Sequence, residues 1–166
     1  MKSLILKKTK RGLGVFANRN FIRGDILLEF KGKIIFWPGN ELPKDVPSNY
    51  NPDQDHYLQL EKDVYMGPSG KIDDSVNHSC GPNSGIIFKG KRIFLVTRHP
   101  INRGEEITWD YSTDMDEDEW VMKCSCGDKN CRKMIKDFKY LPLDLQNKYI
   151  REGIVAPFIL KTHLKR

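Results

Sequence analysis

Three of the chain's four cysteines fall within eight residues, as Cys124-x-Cys126-x4-Cys131. No other feature restricts the fold as much. Thiols this crowded, with nothing nearby that marks secretion, point to a metal site rather than a disulfide framework. Zinc takes four ligands in a closed tetrahedron when its role is structural, so three thiolates leave one place to fill. The remaining cysteine is Cys80, 44 residues before Cys124. If Cys80 closes the tetrahedron, the metal ties a late loop to the middle of the chain. The alternative is a set of free thiols with Cys80 an ordinary buried residue. No histidine stands at a spacing that makes a Cys/His finger.

The rest of the composition limits function by exclusion. A chain of 166 residues with 39% hydrophobic and 30% charged residues is long enough for one cored domain and too apolar for disorder. There is no 18-residue apolar run, so no membrane span is expected. The start, MKSLILKKTKRG, lacks the long apolar stretch and small-residue cleavage site of a signal peptide. An intracellular, reducing compartment is expected, cytoplasmic or chromatin-associated. The net charge of +6 suits a nucleic-acid or chromatin-like partner and equally suits a solvated basic surface.

Short β-type runs joined by turns dominate the chain. Residues 4–7 and 14–16 flank the turn Arg11-Gly12-Leu13-Gly14. Ile26–Phe30, Lys33–Trp37 and Tyr57–Leu60 read as strands, and Pro38–Pro52 and Met66–Asp74 as loops. Gly85–Phe88 and Arg92–Thr97 flank Lys89-Gly90-Lys91 as a hairpin, and Glu106–Tyr111 reads as a last short strand. The clearest helical signal is Leu143–Arg151, with Leu145, Tyr149 and Ile150 apolar and Gly153 just past the end. The expected class is mainly β with minor α, ending in a helical tail over 137–166.

Three further segments carry the chemistry. They are Arg11-Gly12-Leu13-Gly14-Val15-Phe16-Ala17, then Val76-Asn77-His78-Ser79-Cys80-Gly81-Pro82-Asn83, then Gly104-Glu105-Glu106-Ile107-Thr108-Trp109-Asp110-Tyr111. In this order, and followed by the cysteine loop Cys124–Arg132, they resemble the SET-domain protein lysine methyltransferases over roughly residues 4–136. Asn77-His78-Ser79-Cys80 with Pro82-Asn83 is similar to that family's Asn-His-Ser-Cys-x-Pro-Asn motif. Glu105–Tyr111 is similar to its Glu-Glu-Leu-Thr-aromatic-Asp-Tyr motif, and the cysteine loop to its post-SET zinc loop. The resemblance implies small curled β-sheets with a C-terminal pseudoknot. It implies a SET domain over 1–112, an acidic linker and zinc loop over 113–136, and the tail over 137–166.

It also implies the activity and its residues. The chain is expected to transfer a methyl group from S-adenosylmethionine to a lysine amine in a basic protein, histone-like, chromosomal or ribosomal. Gly12, Leu13 and Gly14 are then the close backbone approach to the cofactor. Asn77 and His78 are its polar and backbone partners, and Ile135, with Phe138, covers the adenine. Tyr111 is the catalytic tyrosine and a cofactor contact. Tyr57 lines the lysine channel. Trp109 stands at the aromatic position that influences how many methyl groups are added. The cysteine of the Asn-His-Ser-Cys motif is the family's fourth zinc ligand, so Cys80 joins Cys124, Cys126 and Cys131 around one structural zinc.

The chain departs from the family pattern at Phe30-Lys31-Gly32, where Tyr-x-Gly is common, and at Asp74-Ser75, where Arg and an aromatic are common. Trp109 stands where Phe or Tyr is usual. Asp114, Asp116, Glu117, Asp118 and Glu119 form an acidic run, read as a solvated loop or as a lip that draws in a basic peptide. Two other classes compete with the enzyme. One is a non-catalytic, zinc-stapled module that binds protein or nucleic acid. The other is a zinc-finger DNA binder, disfavoured because no recognition helix adjoins the ligands.

Overall fold

The computed structural model describes residues 2–39, 57–118 and 120–163. Most of the expected loop Pro38–Pro52, Glu119 of the acidic run and the last three residues of the tail lie outside them. The chain opens with a hairpin, β1 (Leu4–Thr9) and β2 (Gly12–Ala17), closed by Thr9 opposite Gly12. Gly12 pairs with Thr9 as the first residue of β2, so the turn ends before it rather than spanning 11–14, and its φ of 98° is one that favours glycine. Next come β3 (Ile26–Phe30), β4 (Ile34–Phe36), β5 (Leu58–Glu61) and β6 (Val64–Met66). Then follow β7 (Asn77–His78), the hairpin β8 (Ser84–Lys89) and β9 (Arg92–Thr97), and β10 (Thr108–Trp109). A final hairpin, β11 (Met122–Lys123) and β12 (Met134–Ile135), brackets the late cysteines.

The sheets are small, ordered β3-β9-β8 and β4-β6-β5, with two-stranded pairs beside them. Mainly β with minor α is therefore the observed class. Two expectations need correction. Met66–Asp74 is not all loop, because Met66 ends β6, the centre of its sheet, and Ile72–Ser75 forms a 3₁₀ turn. Three residues are too few to show a two-residue period, so β6 is invisible until β4 and β5 pair with it. Glu106–Tyr111 is a strand only at Thr108–Trp109. The Asp110 carboxylate accepts from Ser112 N at 3.1 Å and starts a 3₁₀ turn over Tyr111–Thr113.

Two cores hold these pieces. The larger joins Val15, Phe30, Ile86, Leu95, Ile101, Ile107, Trp109 and Tyr111. The smaller joins Phe138, Leu141, Tyr149, Ile154 and Ile159. The second is the tail folded on the domain. Helix α1 (Leu143–Glu152) ends at Gly153, φ 68°, as its sequence predicts, and α2 (Pro157–His163) follows after a short break. Of α1, Gln146 and Tyr149 are the buried residues, the former bonding the carbonyls of Lys139 and Leu141 at 3.2 and 2.8 Å. Among the described residues no helix is long and apolar enough to cross a membrane.

Candidate active site and metal centre

The site begins where β7 and β10 pair in parallel, Asn77 opposite Thr108 and His78 opposite Trp109. This two-rung ladder brings the segment that carries Cys80 alongside the segment that carries Tyr111. The second segment is gripped on both sides. On one side Ala17 N donates to Glu105 O (3.0 Å) and Ile107 N to Val15 O (2.8 Å). On the other, Ser79 N donates to Trp109 O at 3.0 Å and Ser84 Oγ to Thr108 O at 2.7 Å. Asn83 adds two bonds, Nδ2 to Glu106 O at 2.8 Å and Oδ1 from Thr108 N at 3.0 Å.

The glycine turn meets this ladder directly. Asn77 Nδ2 donates to Leu13 O at 3.0 Å and to Glu106 Oε1 at 2.7 Å. Arg11 reaches across to His78 O at 2.5 Å and Glu106 Oε2 at 2.9 Å. A Cβ on Gly14 would lie 2.7 Å from Glu106 Oε1 and 3.0 Å from Asn77 Nδ2, so Gly14 serves close packing. Gly12, by contrast, faces open space, and Leu13 beside it is 50% exposed. Arg11 and Glu106 were not foreseen. The only signal was their position inside the two motifs that turn out to touch.

Tyr111 is buried, its hydroxyl donating to Val76 O at 2.8 Å and its N–H to His78 Nδ1 at 3.2 Å. Burial pushes its phenol well above the ordinary range, so the hydroxyl keeps its proton at neutral pH. Its ring lies 4.9 Å from Trp109, 5.3 Å from His78 and 6.5 Å from Trp120, centre to centre. Trp120, just past the acidic run, was also missed. The His78 side chain is buried, with Nε2 3.4 Å from Cys80 Sγ. It thus sits between the tyrosine and the cysteines. Phe30 packs against Trp109, ring centres 5.9 Å apart. Asp74 closes its own loop, accepting from Ser69 N and Gly70 N at 2.9 and 2.6 Å.

The other expected residues are placed as follows. Tyr57 packs edge-on against Trp37 at 5.9 Å, on the β4-β6-β5 side. Ile135 is fully buried on β12, opposite Met122. Phe138 belongs to the tail core. The acidic run is largely consumed internally. Asp114 is buried, Glu117 accepts from Tyr65 OH, and Lys139 pairs with Asp116 at 3.4 Å and Asp118 at 2.5 Å.

The Sγ atoms of Cys80, Cys124, Cys126 and Cys131 all lie within 4.8 Å of one another, Cys80 and Cys124 being 3.9 Å apart. A tetrahedral tetrathiolate with Zn–S near 2.3 Å has sulfur–sulfur edges of roughly 3.8 Å, so the four cysteines fit such an ion. Arg132 N–H points at Cys80 Sγ from 3.3 Å. The Arg132 guanidinium then makes a two-pronged ion pair with buried Asp110, both bonds 2.7 Å.

Comparison with known proteins agrees with this arrangement. The SET domain family profile matches residues 12–112. The chain is 34% identical over 142 residues to a variant-silencing SET domain-containing protein of Plasmodium falciparum, a match covering 79% of this chain and 6% of that protein. It is 30% identical to a Yarrowia lipolytica histone-lysine N-methyltransferase, H3 lysine-36 specific, over 76% of this chain and 17% of that one. The chain thus spans less than a fifth of the length of these relatives. Among solved structures, KRYPTONITE in complex with mCHG DNA and SAH superposes with a TM-score of 0.59. That match has 21% identity and covers 80% of this chain and 29% of that one, a likeness of fold. With the family profile spanning most of the chain, and the family's motif segments meeting at one ladder beside a four-cysteine cluster, the chain belongs to the SET-domain family.

Proposed function

We propose that this chain is a protein-lysine N-methyltransferase that uses S-adenosylmethionine, holds one structural zinc, and modifies a lysine of a basic, histone-like protein. The observation that carries the reading is the β7–β10 ladder, which sets Asn77, His78 and Cys80 beside Tyr111. S-adenosylmethionine, when bound, supplies an electrophilic methyl group on a sulfonium. The exposed Leu13 turn with the open face of Gly12, adjoining Asn77, forms its cradle. Tyr111 acts by position. Its proton is committed to Val76 O, so toward an amine N–H its oxygen serves as an acceptor that orients the nitrogen lone pair. The surrounding rings exclude water, which favours the neutral amine over the ammonium. Trp109, buried between Phe30 and Tyr111, limits the room for an already methylated nitrogen. Cys80, Cys124, Cys126 and Cys131 hold the zinc.

The test is transfer of labelled methyl from S-adenosylmethionine to histones and other basic proteins, with the product identified by mass spectrometry. Lysine methylation is expected, with Tyr111→Phe slower by about a hundredfold. Trp109→Phe should shift the product toward more highly methylated lysine. A wild-type chain that binds S-adenosylmethionine yet labels no protein returns the binding-module reading.

A further inference from the structure

We propose that Tyr149, on the C-terminal helix α1, is a positioning residue of the transfer site, acting through the buried Asp110 carboxylate on Tyr111 and on the cysteine loop together. The inference rests on the transferase reading above and extends it to the tail. The turn that carries Tyr111 is short and centred on Asp110. β10 before it is two residues long, and the 3₁₀ turn over Tyr111–Thr113 is a single turn whose local bonds nearly all close on Asp110, from Ser112 N, Thr113 N and Thr113 Oγ1. Its orientation therefore depends on what grips it from outside.

Two elements do so. From the cysteine loop, Arg132 reaches both oxygens of Asp110 and lies 3.3 Å from Ser112 Oγ, while Ser112 Oγ donates to Lys136 O at 2.5 Å. From the tail, Tyr149 OH donates to Asp110 Oδ2 at 3.1 Å, and Ala156 N donates to Thr113 O at 2.8 Å. Asp110 itself holds the turn through Ser112 N, and its Oδ1 stands 3.6 Å from His78 Nδ1, the atom that receives the Tyr111 N–H. One carboxylate, 1% exposed, thus joins the turn, the cysteine loop and α1.

A charge so deeply buried is tolerated only when donors surround it. Removing the Tyr149 hydroxyl forces Arg132 and Asp110 to readjust, and both the Tyr111 turn and the backbone beside Cys131 hang on that pair. Coupling of this kind is reciprocal: a group that steadies the turn through Arg132 must also steady the metal loop.

The decisive variant is Tyr149→Phe, which keeps the ring and loses one bond. Ile159→Val, a trimming of the tail core away from Asp110, serves as the comparison for simple loosening of the tail. In the zinc-loaded full chain, Tyr149→Phe should lower kcat about tenfold, the scale of one hydrogen bond to a charged group, with both Michaelis constants within about twofold. It should also speed zinc loss to a chromogenic chelator about tenfold. Ile159→Val should lower the melting temperature and leave both rates unchanged. Asp110→Asn, of equal volume, should act in the same direction as Tyr149→Phe. If Tyr149→Phe loses thermal stability but matches Ile159→Val in kcat and in metal release, the proposal is overturned. A wild-type chain that methylates nothing overturns only the transferase reading. The chelator measurement then decides alone, with faster release supporting the latch and an unchanged rate ending it.

Discussion

Asp114 shows how far a residue's neighbours can change its meaning. In the sequence it opens an acidic run that suggests a solvated or substrate-facing lip. In the fold it is 1% exposed, and its Oδ2 has no hydrogen-bond partner among the described residues. Burial raises its carboxyl well above the ordinary range. The sign of the consequence follows. The unfolded chain ionises at the ordinary carboxylate pKa while the folded chain retains the proton, so stability is lost as pH rises from there. Asp114→Asn, which does not titrate, should therefore raise the melting temperature at neutral pH by about 2–4 °C, roughly 1 kcal/mol in a chain of this size. The gain should vanish below about pH 4, where both side chains are neutral. Melting curves at the two pH values check this, and an equal gain at both would refute the cause. Phe30 and Trp109 make the complementary case. Their departures from the family pattern are visible in the sequence, but their mutual packing is visible only in three dimensions.

At the scale of elements, close approach explains glycines whose role the sequence leaves unstated. Gly85, inside β8, is one. A Cβ there would lie 2.7–2.9 Å from three atoms of Ile154, which joins α1 to α2. Gly85→Ala should push the tail off the β3-β9-β8 sheet and destabilise the chain by about 1–3 kcal/mol. Urea titration measures this, and a neutral result would mean that Ile154 turns aside freely. The cysteine loop is the other element held by distant contacts. If Cys80 is its fourth ligand, Cys80→Ser should lower the bound zinc well below one ion per chain and loosen β11 and β12. Metal analysis with hydrogen exchange over 122–135 distinguishes this from a three-cysteine site, which would keep its zinc.

For the whole molecule, three tyrosines from different parts of the sequence share one electrostatic fate. Tyr65, Tyr111 and Tyr149 are buried in the β4-β6-β5 sheet, at the site and in the tail. Burial raises all three phenols, helped by Glu117 beside Tyr65 and by Asp110 beside Tyr149. Below about pH 10 folded and unfolded chains both keep these protons and stability is whole. Above it only the unfolded chain ionises, and stability should fall by about 4 kcal/mol per pH unit, a third of it from each tyrosine. Denaturant unfolding between about pH 11 and pH 12 reads that slope, and Tyr149→Phe should remove roughly a third of it.

Much of this protein was written in local order. The β-rich class, the Gly90 hairpin, the helix ending at Gly153 and the cysteine cluster follow from turn chemistry, period and ligand count, which act over a few residues. The resemblance of four segments in sequence carried the family. Local order did not show that the β7–β10 ladder is two residues long, that β6 is a central strand, or that Asp114 of the acidic run is buried. Nor did it show that Asp110 gathers Arg132 and Tyr149 from 22 and 39 positions away. Those were decided by tertiary structure. A buried charge takes whichever donors the fold delivers, and short strands gain their hydrogen bonds only from partners that arrive from elsewhere in the chain.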